Sequence, residues 1–142
     1  MIGIYLLDTN VISEQIKPFP NPNVIKMLNR KESMSAIPSV AWAECLFGIK
    51  RMPESRKKNI YSDYYINTVL NTFSFIPFEE HAASIFSDIK SRLERIGKPA
   101  SLLDMQIAAT AIANNLILVT RNVKDFEAIA DFSALMLENW FD

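Results

Sequence analysis

The sequence holds one cysteine, one histidine and three glycines in 142 residues, and each scarcity removes a class of chemistry. A single cysteine forms no internal disulfide, which fits a reducing compartment. One Cys and one His do not supply the nitrogen and sulfur ligands of the usual zinc site. His81 is the only base available to a Ser–His nucleophile system. It follows Glu79-Glu80 at a predicted helix start and reads as a surface or capping residue. Gly3, Gly48 and Gly97 lie far apart, so neither G-x-G-x-x-G nor a P-loop is present and nucleotide cofactors held by such loops are disfavoured. No run reaches 18 apolar residues, so no membrane span is expected. The opening MIGIYLLDTN lacks a basic segment and is interrupted by Asp8, so it does not read as a targeting peptide, and the cytoplasm is the expected location. Fifteen Lys and Arg against sixteen Asp and Glu leave a net charge of −1, so any contact with nucleic acid has to come from a local patch.

What is there is ordinary globular material: 49% hydrophobic and 22% charged residues, which excludes a disordered chain. The length predicts one domain, 1–142, able to bury a core without disulfide or structural metal. Strands are predicted at 2–7, 33–37, 73–78 (an edge strand, because Pro77 lacks a ladder donor), 116–120 and 134–138. Helices are predicted from Thr9 or Asn10 to 15, from Asn23 to 30, from Ser39 to 51, over 54–71, over 79–95 with a stop at Gly97, over 102–115, and over 123–130. Cys45 reads as core. Strand and helix alternate throughout, which predicts an α/β fold with a mainly parallel sheet and helices on both faces.

In such folds ligands bind at the carboxyl ends of strands. Asp8 follows the first predicted strand directly and Asp125 follows the fourth by five residues, so both reach one rim, unless each merely caps a helix or turn. Glu44 is the only charge in residues 39–49, with Val40, Ala41, Phe47 and Gly48 as helical neighbours, and no Lys or Arg stands between Lys31 and Lys50. Asp104 shares a helix face with Ile107, Ala108 and Ala111, and no basic residue stands between Lys98 and Arg121. A lone carboxylate in apolar surroundings is expensive or protonated, unless it sits at a helix end and reaches water. A shared divalent cation explains all four together, and oxygen-only ligands select Mg²⁺ or Mn²⁺.

LLDTNVISE (6–14), the lone Glu in AECLFGIK (43–50), GKP…DMQIAATA (97–111) and TRNVKDF (120–126) resemble the PIN-domain ribonucleases, most closely the VapC/FitB branch of bacterial toxins. The resemblance spans nearly the whole chain. It implies a PIN-like three-layer α/β/α sandwich with a five-stranded sheet of order 3-2-1-4-5. It implies that Asp8, Glu44, Asp104 and Asp125 form an acidic quartet, with Asp8, Asp104 and Asp125 as the chief metal ligands and Glu44 as a ligand or water-orienting group. Asn10 matches an amide that orients Asp8, Thr120 matches a hydroxyl near the metal, and Asn122 is a further orienting partner. The Asn139-Trp140 tail is similar to the family's frequent Asn-Pro-Trp ending without its proline, and Trp140 is expected to pack on the core.

The implied function is a Mg²⁺-dependent endoribonuclease, the toxin of a type II toxin–antitoxin pair, leaving 5′-phosphate and 3′-hydroxyl ends. RNA would be held by Arg121 and Lys124 near the site and by Lys50, Arg51, Arg56, Lys57 and Lys58 around one helix junction. The implied partners are a second copy of the chain, expected through Ile60, Tyr61, Tyr64 and Tyr65, and an antitoxin with a DNA-binding N-terminal region. The antitoxin is expected to place an Arg or Lys beside the quartet and to anchor in an apolar groove near Trp42 or Trp140. A second reading is a nuclease-like regulatory subunit that mainly dimerises and represses with its DNA-binding partner. A third, phosphotransfer through Asp8, is opposed by Asn10, which stands where such enzymes carry a second acid.

Overall fold

The computed structural model describes residues 4–142. Five parallel strands, β1 (Tyr5–Leu7), β2 (Ser35–Pro38), β3 (Ser74–Ile76), β4 (Ile117–Val119) and β5 (Met136–Glu138), form one sheet of order β3-β2-β1-β4-β5. The sheet order is the one the resemblance implies, and the parallel strand direction is the one predicted. β1 and β4 are neighbours, paired Tyr5 to Ile117 and Leu7 to Val119, and the chain reverses its direction of strand addition between them. The predicted first strand began at residue 2; residues 2 and 3 lie outside the described residues.

Period-two alternation divides the core into two layers. Leu6, Ala36 and Leu118 face one side, where α6 (Glu80–Ile96), α7 (Leu102–Ala113) and α8 (Glu127–Phe132) pack. Leu7, Ile37 and Val119 face the other, against α1 (Thr9–Glu14), α2 (Pro22–Lys31) and Tyr64, Tyr65 and Val69. Leu6 and Leu7 are both fully buried, which is why β1 reads as a continuous apolar run. Each such side chain contributes about 1.5–3 kcal/mol relative to an exposed one. α3 (Ser39–Lys50) borders both layers, with Ala41 in one and Ile49 in the other.

Local details differ from the sequence expectation in ways that have physical reasons. Asp8, not Thr9 or Asn10, caps α1, its carboxylate accepting from the Thr9 N–H. Asn21, not Asn23, caps α2, because Pro22 fills the first helical position, where a missing N–H is harmless. α3 begins at Ser39 without a side-chain cap. The predicted helix over 54–71 is α4 (Arg56–Asp63), a π-helical stretch (Tyr64–Val69) and a last turn α5 (Leu70–Thr72). The π-helical register includes buried Tyr64, Tyr65 and Val69, and the Tyr64 hydroxyl donates to the Ile12 carbonyl at 2.6 Å. Of the tyrosines expected at an interface between copies, Tyr64 and Tyr65 are therefore committed to the protein's own core, while Tyr61 is half-buried. α6 stops at Gly97 as predicted: the backbone there is left-handed (φ 70°), and the Lys98 N–H reaches back to the Leu93 carbonyl. Trp140 is buried as expected, edge-on to Tyr5 at 5.3 Å. The Asn23 amide donates to its carbonyl and the Asn21 amide to that of Phe141. Among the described residues no helix is long and apolar enough to cross a membrane.

Candidate metal-binding active site

β1 and β4 end side by side, and the Asp8 N–H extends their ladder by donating to the Val119 carbonyl at 3.0 Å. This continuation brings Asp8 and Thr120 together at the carboxyl rim. Asp8 is 5% exposed and Thr120 fully buried. The Thr120 hydroxyl donates to Asp8 Oδ2 at 2.8 Å, the Thr9 N–H donates to Oδ1 at 2.8 Å, and the Asn10 amide makes a longer contact to Oδ2 at 3.4 Å. Asn10 is held from its other end, where Oδ1 accepts from the Arg121 N–H at 3.1 Å. Asn122 contributes through its backbone, its N–H donating to the Thr120 hydroxyl oxygen at 3.1 Å. The bond Asn122 makes here is through its main chain and not through the side chain expected to orient the site. Burial raises the pKa of Asp8 above the ordinary carboxylate range, while the bonds from Thr120, Thr9 and Asn10 pull the other way.

Asp104 stands in the first turn of α7, whose N-cap Ser101 accepts from the Asp104 N–H at 3.0 Å. It is half-buried. Its pKa is also raised, first by desolvation, then by the neighbouring charges of Asp8 and, more weakly, Asp125, against the Ser101 bond. Asp125 sits on the 3₁₀ turn Val123–Phe126 and is exposed. Asp104 and Asp125 line a cleft of about 490 Å³. Lys98, Glu127 and Asp131 line it too, and the sequence reading did not single them out. The available signal was spacing: Glu127 and Asp131 are four apart on α8, one helical turn, and follow Asp125 closely.

Glu44 departs from expectation. It was read as a carboxylate isolated in apolar surroundings, yet it is exposed. The apolar composition of α3 misled because the helix turns part of its apolar surface to water, with Phe47 57% exposed. Glu44 lines a second groove with Thr9 and Leu103, the chain neighbours of Asp8 and Asp104. Cys45, read as core, lines the same groove, and burial pushes its thiol up to about 11. His81 is exposed on the first turn of α6.

The basic residues divide. Lys124 lines the acidic cleft. Arg121 is exposed, and its guanidinium lies 5.0 Å from the Phe141 ring. Lys50 and Arg51 are exposed at the far end of α3, about 9 Å or more along the axis from Glu44.

The donor set suits a hard divalent cation. It is all oxygen, burial raises Asp8, burial and the charges of Asp8 and Asp125 raise Asp104, and none of the four acids belongs to an ion pair among the described residues. Among the described residues no three Asp, Glu, His or Cys side chains stand close enough together to hold a metal ion as they are placed. Asp8 is the member with the most hydrogen bonds.

The PIN domain family matches residues 5–131. The chain is 33% identical over 126 residues to Toxin FitB of Neisseria gonorrhoeae, spanning 87% of this chain and 91% of that protein. It is 31% identical over 139 residues to Ribonuclease VapC2 of Rickettsia felis, spanning 96% and 98%. The fold matches a chain of FitAcB from Neisseria gonorrhoeae with a TM-score of 0.86 at 32% identity, over 96% of this chain and 98% of that one. It also matches a chain of VapBC2 from Rickettsia felis bound to a DNA fragment from their promoter, with a TM-score of 0.80 at 29% identity and 99% of each chain.

Proposed function

From the premise that this chain belongs to the PIN-domain family, we propose that it is the toxin of a type II toxin–antitoxin pair and a cytoplasmic, Mg²⁺-dependent endoribonuclease, with Mn²⁺ as a substitute ion. The observation that supports this reading is that the charges of Asp8, at the end of β1 beside β4, and of Asp125 both reach Asp104, which lines one cleft with Asp125. Asp8, Asp104 and Asp125 would hold the ion. Bound there, a divalent cation supplies a more acidic water and charge stabilisation at the scissile phosphate.

The chain's own residues do the rest. Thr120, the Thr9 N–H and Asn10 fix the Asp8 carboxylate in one rotamer, so that it does not reorganise during the reaction. Glu44, across the second groove and in contact with water, orients the attacking water toward phosphorus. Water oxygen bonds to phosphorus and releases its proton to solvent, the bond to the 3′ oxygen breaks, and that oxygen takes a proton from solvent and leaves as a hydroxyl. Lys124, at the rim of the cleft, and Arg121 hold the RNA backbone near the site. Lys50 and Arg51 hold it farther out.

The partners in this reading are RNA, a DNA-binding antitoxin and a second copy of the chain. Ile60, Ile66 and Leu70 remain 43–49% exposed along one helical segment and offer the apolar surface that Tyr64 and Tyr65 do not. A monomer by light scattering at micromolar concentration would contradict the dimer. The second reading, a regulatory subunit, draws on the DNA-bound complex of the Rickettsia felis relative. Incubating the purified chain with labelled RNA, with and without Mg²⁺, separates the two. Metal-dependent cleavage that is lost in Asp8→Asn supports the ribonuclease, and no cleavage at any metal concentration refutes it.

A further inference from the structure

Gly48 lies within α3, where glycine is the poorest helix former after proline. Packing does not require it: a Cβ placed there meets no heavy atom within 4 Å, and the residue is not in the left-handed region. What the missing side chain preserves is space. Gly48 lines a groove of about 360 Å³ between Glu44 and Cys45 on α3 and Tyr61, Tyr65 and Leu103 opposite. The groove opens beside the acidic cleft, since Leu103 precedes Asp104 and Thr9, also in its lining, follows Asp8.

Cations stand near the groove on both of its helices: the Lys57 ammonium is 5.6 Å from the centre of the ring of Tyr61, which lines the groove, and Arg51, three residues past Gly48 at the end of α3, is 5.6 Å from that of Phe47. Aromatic surface, a cleared floor and flanking cations, next to carboxylates that act on a phosphodiester, are the elements with which proteins hold single-stranded nucleic acid. We infer that this groove receives one unpaired base of the RNA adjoining the cleaved phosphate, stacked against Tyr61, with Lys57 and Arg51 on the flanking phosphates. The inference rests on the ribonuclease reading and makes Gly48 and Tyr61 determinants of substrate choice. An apolar side chain of a partner protein is the competing occupant. The cations favour a polyanion.

Steady-state cleavage by the full chain tests this with two substrates, a short single-stranded RNA and the base-free diester bis(p-nitrophenyl) phosphate. Gly48→Leu fills the groove and should raise KM for the RNA by about tenfold, with the loss of kcat/KM on RNA exceeding that on the base-free diester by a similar factor. Tyr61→Ala should act in the same direction and Tyr61→Phe should restore cleavage, which keeps the test open if Gly48→Leu does not fold. Replacing the base beside the cut by an abasic ribose should erase the difference between wild type and Gly48→Leu. Equal proportional losses on both substrates, or an unchanged RNA KM in both folded variants, overturn the inference. So does a Gly48→Leu protein that cleaves RNA like wild type but no longer binds its antitoxin. A wild type that cleaves no RNA overturns the ribonuclease reading itself; an active enzyme indifferent to groove filling overturns the base site alone.

Discussion

The hydroxyl of Thr120 donates a 2.8 Å hydrogen bond to Oδ2 of Asp8 across 112 residues of sequence. It is a buried bond to a carboxylate whose burial disfavours its ionised form. A hydrogen bond to a charged group contributes about 1.5–3 kcal/mol. Here it works at the point where β1 and β4 meet, so one contact joins strand order to the chemistry of the rim.

Thr120→Val keeps the shape and removes the donor. The bond favours ionised Asp8, so its loss raises the Asp8 pKa further. The acid limb of the pH–rate profile should then move to higher pH, and cleavage at neutral pH should fall by about ten- to a hundredfold. Thr120→Ser should restore both. An unshifted acid limb in Thr120→Val would show that Asp8 ionisation does not limit the rate.

Asp104→Asn separates activity from stability. A carboxylate whose folded pKa lies above its unfolded value contributes stability fully below the unfolded value, near 3.8, and loses it as pH rises through the folded value. In the absence of metal, Asp104 therefore weakens the fold at neutral pH, because it must ionise beside Asp8 and Asp125. Asp104→Asn should raise the metal-free melting temperature at pH 7 and lose that advantage below about pH 4. Mg²⁺ should raise the melting temperature of the wild type more than that of the variant. RNA cleavage should fall by about a hundredfold or more. A folded Asp104→Asn protein with full cleavage would remove Asp104 from the site.

Trp140 is 2% exposed, packs on Tyr5 and donates from its indole nitrogen to Glu138 at 2.9 Å. Trp140→Ala should destabilise the protein by about 3–5 kcal/mol in chemical unfolding. A loss under 1 kcal/mol would show that the tail is dispensable to the core. Asn21→Asp is the milder probe. It keeps the oxygen that caps α2 but removes the amide that donates to the Phe141 carbonyl, so the tail should loosen while the helix stays capped.

The parallel α/β class and the carboxyl rim were legible in the sequence because β1 and β4 are buried on both faces, and such strands are written as apolar runs followed by polar residues, whereas the strand order came from the family resemblance. Asp8, Asn10 and Thr120 stand directly after those runs, so their convergence follows from the topology. Asp104 was legible for a different reason, since an acid on an apolar helix face needs an explanation, and here it combines partial burial with a position in the first helical turn. Glu44 was found by the same argument, although its premise failed: apolar neighbours along α3 include exposed Phe47, and composition alone does not tell a buried helix from one bordering a groove. The misplaced caps at Asn23 and Thr9 are one- or two-residue displacements decided by Pro22 and by the extended backbone of Asp8. The π-helical stretch that commits Tyr64 and Tyr65 to the core left no mark in the hydrophobic period. Lys98, Glu127 and Asp131 escaped notice because charged surface residues are usually solvated, and only the cleft gives them a common direction.

The acidic rim is also where an inhibitor would act. An active ribonuclease of this kind damages its own cell, so the antitoxin has to silence the site and not merely cover it. The four carboxylates have no Lys or Arg ion-pair partner among the described residues; burial raises Asp8, and burial with the charges of Asp8 and Asp125 raises Asp104. A fixed cation relieves that repulsion as Mg²⁺ does, and arginine's planar fork suits paired carboxylates. The antitoxin should therefore place an Arg or Lys beside Asp8, Glu44, Asp104 or Asp125 by ordering its C-terminal segment on this surface. Trp140 is core and offers no groove, whereas Trp42 is half-buried against Tyr65 and Phe75 and keeps an accessible edge for the expected anchor. Two cations competing for one site are reciprocally linked, so calorimetric titration of the pair should give weaker binding as Mg²⁺ rises. Replacing the antitoxin's basic residue by Ala should weaken binding and flatten that Mg²⁺ dependence, part of the loss arising from carboxylates buried without a partner. Equal affinity at low and high Mg²⁺, together with full cleavage by the complex, would place the antitoxin away from the acidic site.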